Sequence, residues 1–150
     1  MGYLDSLIDD CKVAMDAIPV QEIVVRDLSE LDDIERAIYI FEQVNGSPEV
    51  TFLAMSQYKS LKERSCPKLN LPSRFLYVGS TTTGVRKRIE QHIGLGHKST
   101  YALHLKYWFA GEYKLTVMQY NVSDRVLQLI EDDISDRLKP AFGKMGGNNK

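Results

Sequence analysis

Five side chains of this sequence have types suited to managing charge at one anionic centre: Tyr39, Tyr77, Arg88, His92 and Glu131. A carboxylate can hold a divalent cation against a non-bridging oxygen and a leaving oxygen, and a guanidinium can neutralise charge that builds on the remaining oxygens. Glu131 and Arg88 suit those two tasks. A phenol, with an ordinary pKa of about 10, takes a proton from water only when its own proton is held by a stronger base or its anion is stabilised nearby. Together these groups support hydrolysis of a phosphodiester.

Four sequence elements must position them. Ala37-Ile38-Tyr39-Ile40-Phe41 and Phe75-Leu76-Tyr77-Val78-Gly79 read as strands. Side chains alternate between the faces of a strand, so Tyr39 shares a face with Ala37 and Phe41, and Tyr77 with Phe75 and Gly79. If the two strands pair, both phenols can point the same way. A threonine-rich turn, Ser80 to Gly84, leads into a helix with Val85, Ile89 and Ile93 on its buried stripe, on which Arg88 and His92, four apart, are neighbours. In the segment Asp124 to Pro140, Leu127, Ile134 and Leu138 mark an inward face, and Glu131 occupies the remaining slot of that stripe. Asp132, Asp133 and Asp136 fall on the solvated side. A buried carboxylate needs a cation or hydrogen-bond partner, which either a metal or a structural salt bridge to Arg88 would supply.

In chain order, the Ala37-Ile38-Tyr39 strand, Tyr77-Val78-Gly79, Arg88 with His92, and Glu131 followed by Leu138-Lys139-Pro140 resemble the GIY-YIG nucleases. The resemblance covers residues 36 to 143. It implies an α/β (α+β) fold, a small three-stranded antiparallel sheet flanked by helices. It also implies one nuclease domain over residues 1–150, with residues 1–35 as an N-terminal extension carrying a helix and residues 47–73 as an insertion between the two motif strands. The implied activity is that of a divalent-metal-dependent DNA endonuclease using Mg2+ or Mn2+ on Glu131. Tyr39 would be the base, with Tyr77 and His92 as helpers; whether Tyr39 or His92 takes the proton stays open.

Three departures qualify the resemblance. Ala37 stands where the family usually has glycine. Gly143 stands where many members have asparagine, whose supporting role is either absent or supplied by Asn148 or Asn149. The connection between Tyr39 and Tyr77 is much longer than the usual hairpin, which resembles the restriction-enzyme branch and implies a restriction or defence enzyme. The alternative is a catalytically inactive nucleic-acid-binding or regulatory module of the same fold.

Composition fits one domain: 150 residues that are 43% hydrophobic can bury a core without covalent staples. Cys11 and Cys66 read as free thiols, and His92, His97 and His104 do not follow a zinc spacing. With no signal peptide and no long apolar run, a cytoplasmic protein without membrane contact is expected. The net charge of −1 conceals a split: three basic and twelve acidic residues lie in residues 1–50, sixteen basic and eight acidic in residues 51–150. That asymmetry suggests a cationic working face with an acidic back; the resemblance implies DNA as the partner, and a homodimer is left open. Arg74, Arg86, Lys87 and Lys98, with Lys106 and Lys114, are candidate phosphate contacts. Lys59, Lys62 and Arg64, with Gln57, lie in the insertion, which either enters a groove or packs on the sheet.

The remaining expectations are local. Residues 4–17 form an amphipathic helix with Leu4, Leu7, Ile8, Cys11 and Met15 inward, and Gln21 to Val25 a short strand. Val50 to Arg64 reads as strand then helix, and Ser99 to Phe109 as a helix with Tyr101, Leu105 and Trp108 on its core stripe. Tyr113 to Tyr120 alternates as the third strand, and Ser123 caps the Glu131 helix.

Overall fold

The computed structural model describes residues 2–144. Its elements are helix α1 (Tyr3–Asp16), strand β1 (Gln21–Val24), strand β2 (Ala37–Gln43), helix α2 (Pro48–Ser60), strand β3 (Phe75–Thr81), helix α3 (Val85–Glu90), strand β4 (Tyr113–Gln119) and helix α4 (Asp124–Leu138). The sheet has four antiparallel strands in the order β1-β4-β2-β3, not three. The fourth is the short Gln21 segment, which pairs with β4 from Gln21 opposite Gln119 to Val24 opposite Thr116. Among the described residues no helix is long and apolar enough to cross a membrane.

Both faces of the sheet are covered. On one, Ala37, Tyr39, Phe41, Leu115 and Val117 join α2, α3 and the loop before β4 through Met55, Val85, Ile89 and Leu103. On the other, Ile38 and Val78 meet Val126, Leu127, Ile130 and Ile134 of α4. The β2–β3 register sets Tyr39 opposite Gly79 and Phe41 opposite Tyr77, with Ile38 opposite Ser80. Directly opposed residues share a face, so the two phenols do point the same way, and Ser80 lies on the α4 side.

Three local expectations are corrected. The segment from Val50 begins as helix, not strand, and stays helical to Ser60: Ser47 caps α2 by accepting from Val50 N at 3.3 Å, and Pro48 occupies the first turn, where its missing N–H costs nothing. Ser99 to Phe109 is not a helix but a loop with one 3-10 turn at Leu105–Tyr107. The reason is that Leu103 spends both main-chain groups on side chains: its N–H donates to His92 Nδ1 at 3.0 Å, and its carbonyl accepts from Trp108 Nε1 at 2.6 Å. His104 then adopts a left-handed conformation, with φ 51°. In α1, Leu4 is 68% and Met15 83% exposed and Ile8 is exposed as well. The helix instead lies on α4 through a narrow strip in which Ala14 and Ala17 pack on the Ile38 cluster and Asp10 pairs with Arg125 at 3.4 Å.

Candidate active site

The site is organised by Gly79. The phenol of Tyr39 runs across it from β2 toward edge strand β3, so closely that a Cβ on Gly79 would lie 2.5 Å from Tyr39 Oη. Tyr77 stacks on the Tyr39 ring with centroids 6.2 Å apart and planes 11° from parallel. On its other side Tyr77 meets Gly143, whose φ of 108° and 2.9 Å approach of a notional Cβ to the Tyr77 ring leave no room for a side chain. The usual asparagine would not fit there unless this turn moved. Asn70, from the insertion, holds the turn in place: Nδ2 donates to Gly143 O at 2.9 Å and to Pro140 O at 3.1 Å. Asn148 and Asn149 lie outside the described residues.

Helix α3 brings Arg88 and His92 to the same phenol. Its N-terminus is anchored by main chain, with Gly84 N donating to Glu35 O at 3.1 Å and Val85 N to Ile34 O at 2.9 Å. Beyond Glu90 the helix widens into a π turn over Gln91–Leu95 and breaks at Gly94, with φ 127°; such local widenings recur at functional sites. The turn carries the His92 ring under both tyrosines, 5.3 Å from the Tyr39 centroid and 4.6 Å from that of Tyr77.

The tautomer of His92 follows from its neighbours. An amide N–H can only donate, so Nδ1, which receives the Leu103 N–H, carries no proton. The ring is fully buried, and burial, followed by the charge of Arg88 and the nearby His104, holds its pKa well below the ordinary histidine value. The neutral ring therefore has its proton on Nε2, 2.9 Å from Tyr39 Oη, to which it donates. Arg88 Nε donates to the same oxygen at 3.2 Å, and its Nη1 reaches Gln91 Oε1 at 2.9 Å. Two N–H groups thus converge on one phenolic oxygen. They favour its anion, and the Arg88 charge pulls the Tyr39 pKa down, but burial outweighs this and pushes it up to about 12. Tyr77 is raised too, by burial first and then by Tyr39.

Glu131 approaches from the opposite face. It is 2% exposed on the inner side of α4 and accepts a hydrogen bond from Ser80 Oγ at 2.5 Å. Its charge reaches across the edge of the sheet and adds to the burial that raises both phenols. The candidate site therefore straddles edge strand β3, with the phenols, Arg88 and His92 on one side and Ser80 with Glu131 on the other. Among the described residues no group of three or more histidine, cysteine or acidic side chains is assembled to cage a metal. The donor set suits Mg2+ bound in its usual manner, through one or two carboxylates with the substrate phosphate and water as further ligands. Mn2+, another hard cation, would use the same oxygens.

The candidate phosphate contacts divide. Lys59 and Lys62 at the end of α2, Arg64 after it and Lys98 from a distant loop line one groove of about 540 Å3. Lys62 and Lys98 are exposed there, whereas Lys59 Nζ donates to Pro67 O at 2.9 Å. Arg64 is a structural tie: its guanidinium lies 3.8 Å over the Tyr107 ring, and it donates to Tyr107 Oη at 2.8 Å and Gly96 O at 3.3 Å. Arg86 is engaged by Asp32 at 2.6 Å and Glu90 at 3.4 Å, and Arg74 by Glu42 at 3.5 Å. Lys87, Lys106 and Lys114 are exposed and lie outside that groove. Within the insertion, α2 buries Thr51, Met55 and Tyr58 against the body and leaves Gln57 exposed.

Ser80, Gln91 and Leu103 were not singled out from sequence. Ser80 had half a signal: it alternates with Gly79, so it faces away from Tyr77, but which helix covers that face was not readable. Gln91 is three residues from Arg88 and adjacent on the helix. The Leu103 amide had no signal, because its role depends on a loop conformation.

In comparisons with known proteins, no protein-family model matches this chain, and neither a curated protein nor a solved structure matches it.

Proposed function

We propose that this chain is a metal-dependent DNA endonuclease of GIY-YIG type, serving restriction or defence. The observation that carries the reading is the convergence of His92 Nε2 and Arg88 Nε on Tyr39 Oη, with Glu131 held by Ser80 across the same strand. A buried tyrosine needs one partner for its hydroxyl; two donors aimed at the oxygen are what a phenolate needs.

In this reading Tyr39 takes the proton of the attacking water. His92 is not the base in this reading, since Nδ1 accepts from the Leu103 amide and the neutral ring carries its proton on Nε2; it stabilises the phenolate instead. Arg88 moves between two oxygens, leaving Tyr39 Oη as negative charge develops on the phosphate it meets. Tyr77 fixes the plane of the Tyr39 ring. Glu131, oriented by Ser80, would hold Mg2+ or Mn2+, which supplies Lewis acidity toward a non-bridging oxygen and the leaving 3′ oxygen. The Lys59, Lys62 and Lys98 groove supplies phosphate contacts that add affinity without sequence information.

One observation favours the second reading, a binding module without turnover: Tyr39 is only 1% exposed, so water must be admitted before it can act. Incubation of the pure protein with supercoiled plasmid, with Mg2+, Mn2+ or a chelator, separates the two. Metal-dependent nicking or linearisation supports the nuclease; retained DNA binding with intact plasmid in both metals supports the module. Discrete fragments would mark site-specific cutting.

A further inference from the structure

Beside the candidate site, on the α4 side of β3, lies a hollow of about 270 Å3. Its floor is apolar, formed by Val78 of β3 and by Pro140 and Phe142 of the turn after α4, with exposed Leu71 of the insertion along its side. Its mouth is cationic: Lys68, Lys139 and Lys144 come from two separate segments, Lys139 also pairing with exposed Asp136 at 3.1 Å. Ser135 and Asn70 add polar groups to the wall. Asn70 Nδ2 is committed to two main-chain carbonyls, which leaves Oδ1 as the amide's acceptor.

An apolar slot with lysines at its mouth fits a ligand with a flat apolar body and an anionic group. The hollow also has a fixed relation to the candidate site. Ser135 is four residues, about one helical turn, from Glu131 on the same buried face, about 6 Å along α4. Val78 shares its face of β3 with Ser80, which hydrogen-bonds Glu131. A group bound here is a neighbour of whatever phosphate Glu131 serves.

We infer that this hollow is a nucleotide pocket, taking one nucleobase on the Val78 and Phe142 floor beside Leu71 and that nucleotide's phosphate at the lysine mouth. The nucleotide is either extruded from a DNA strand next to the cleaved phosphate or free in solution. The strand source rests on the nuclease reading; the pocket does not. Extrusion costs a few kcal/mol of unstacking, least in single strands, so a strand source makes single-stranded or distorted DNA the better ligand.

The test is amide NMR of the full chain without metal, titrated with each of the four deoxynucleoside monophosphates, inorganic phosphate and decanoate. Mononucleotides should shift the Leu71, Val78 and Phe142 amides at concentrations at least tenfold below those at which phosphate does. Leu71→Trp, at a side chain that is 76% exposed, should fill the slot and weaken that binding at least tenfold while the rest of the spectrum stays folded. Displacement of the mononucleotide by a single-stranded oligonucleotide assigns the strand source; no displacement assigns the free nucleotide. Phosphate or decanoate matching the mononucleotides, or shifts that avoid the hollow, would overturn the inference. A chain that cuts plasmid yet shows no such shifts loses the pocket alone, and one that binds mononucleotides but never cuts keeps the pocket and loses the nuclease.

Discussion

The ring of Tyr39 rests on the bare backbone of Gly79, with its hydroxyl where a methyl group at Gly79 would have to sit. This contact explains a glycine in the middle of a strand, where it otherwise weakens pairing. Gly79→Ala should therefore displace the phenol from His92 and Arg88, destabilise the fold by about 1–3 kcal/mol through overpacking, and lower cleavage about as far as Tyr39→Phe. Thermal unfolding and single-turnover assays check the two effects, and an active Gly79→Ala enzyme would separate the phenol from the chemistry.

In the proposed nuclease, Arg88 would meet charge that appears mainly in the transition state. Arg88→Ala should lower turnover by roughly a hundredfold with a much smaller change in DNA affinity, as when one preorganised donor is lost. His92→Ala should be milder in turnover than Tyr39→Phe, yet cost about 1–3 kcal/mol of stability, because the buried Leu103 N–H loses its acceptor. A His92→Ala defect equal to that of Tyr39→Phe would return the proton to the imidazole.

The pH profile of turnover distinguishes the same two residues. With burial pushing the Tyr39 phenol up to about 12, the anion is scarce at neutral pH, and single-turnover rates should rise with pH through the range 7 to 9 without levelling. A plateau above pH 7 would report an imidazole.

Stability should move with pH in the opposite region. His92 and His104 both have folded pKa values depressed, mainly by burial, so their neutral forms contribute stability that is present above the unfolded value of about 6.5 and lost as pH falls below it. Each group can contribute a slope of at most about 1.4 kcal/mol per pH unit. Asp27 and Glu30, lowered chiefly by main-chain hydrogen bonds to their carboxylates, add loss in the same direction but only in the carboxylate range. Melting temperatures between pH 7 and 5 therefore isolate the histidines, and His92→Gln should flatten the slope. A melting curve unchanged over that interval would mean that neither ring is held neutral.

In the groove, replacing Lys59, Lys62 and Lys98 with alanine should weaken DNA binding across sequences and reduce the salt slope by up to about three contacts' worth. Arg64→Ala should instead lower the melting temperature, since that side chain ties α2 to Tyr107. Unchanged isotherms for the triple variant would remove the groove from the interface.

Much of this arrangement was legible because it is written in alternation and helical spacing. Tyr39 and Tyr77 share a face by strand parity, and Glu131 is buried where the α4 stripe put it. What escaped depended on long-range pairing or on side chains competing with the backbone. Gln21 to Val24 was readable as a strand, but its place beside β4, nearly a hundred residues away, was not. The Ser99 to Phe109 segment carries a helical stripe, which His92 and Trp108 override by capturing the main chain of Leu103. The α1 stripe was misread because alanines, not its leucines, make the contact with α4. That Glu131 and Tyr39 lie on opposite faces of the sheet follows only from the β2–β3 register.

In the proposed nuclease the two faces of β3 form one site. The most direct measurement is a single-turnover DNA cleavage cycle in Mg2+ over wild type, Tyr39→Phe, Glu131→Gln and the double variant, with DNA binding and melting measured on each. Each single change should lower the rate at least a hundredfold while binding and folding hold, and the double variant should fall little below the worse single, as for groups that act as a unit. Near-wild-type cleavage by either single variant, or fully additive losses in the double, would contradict the account.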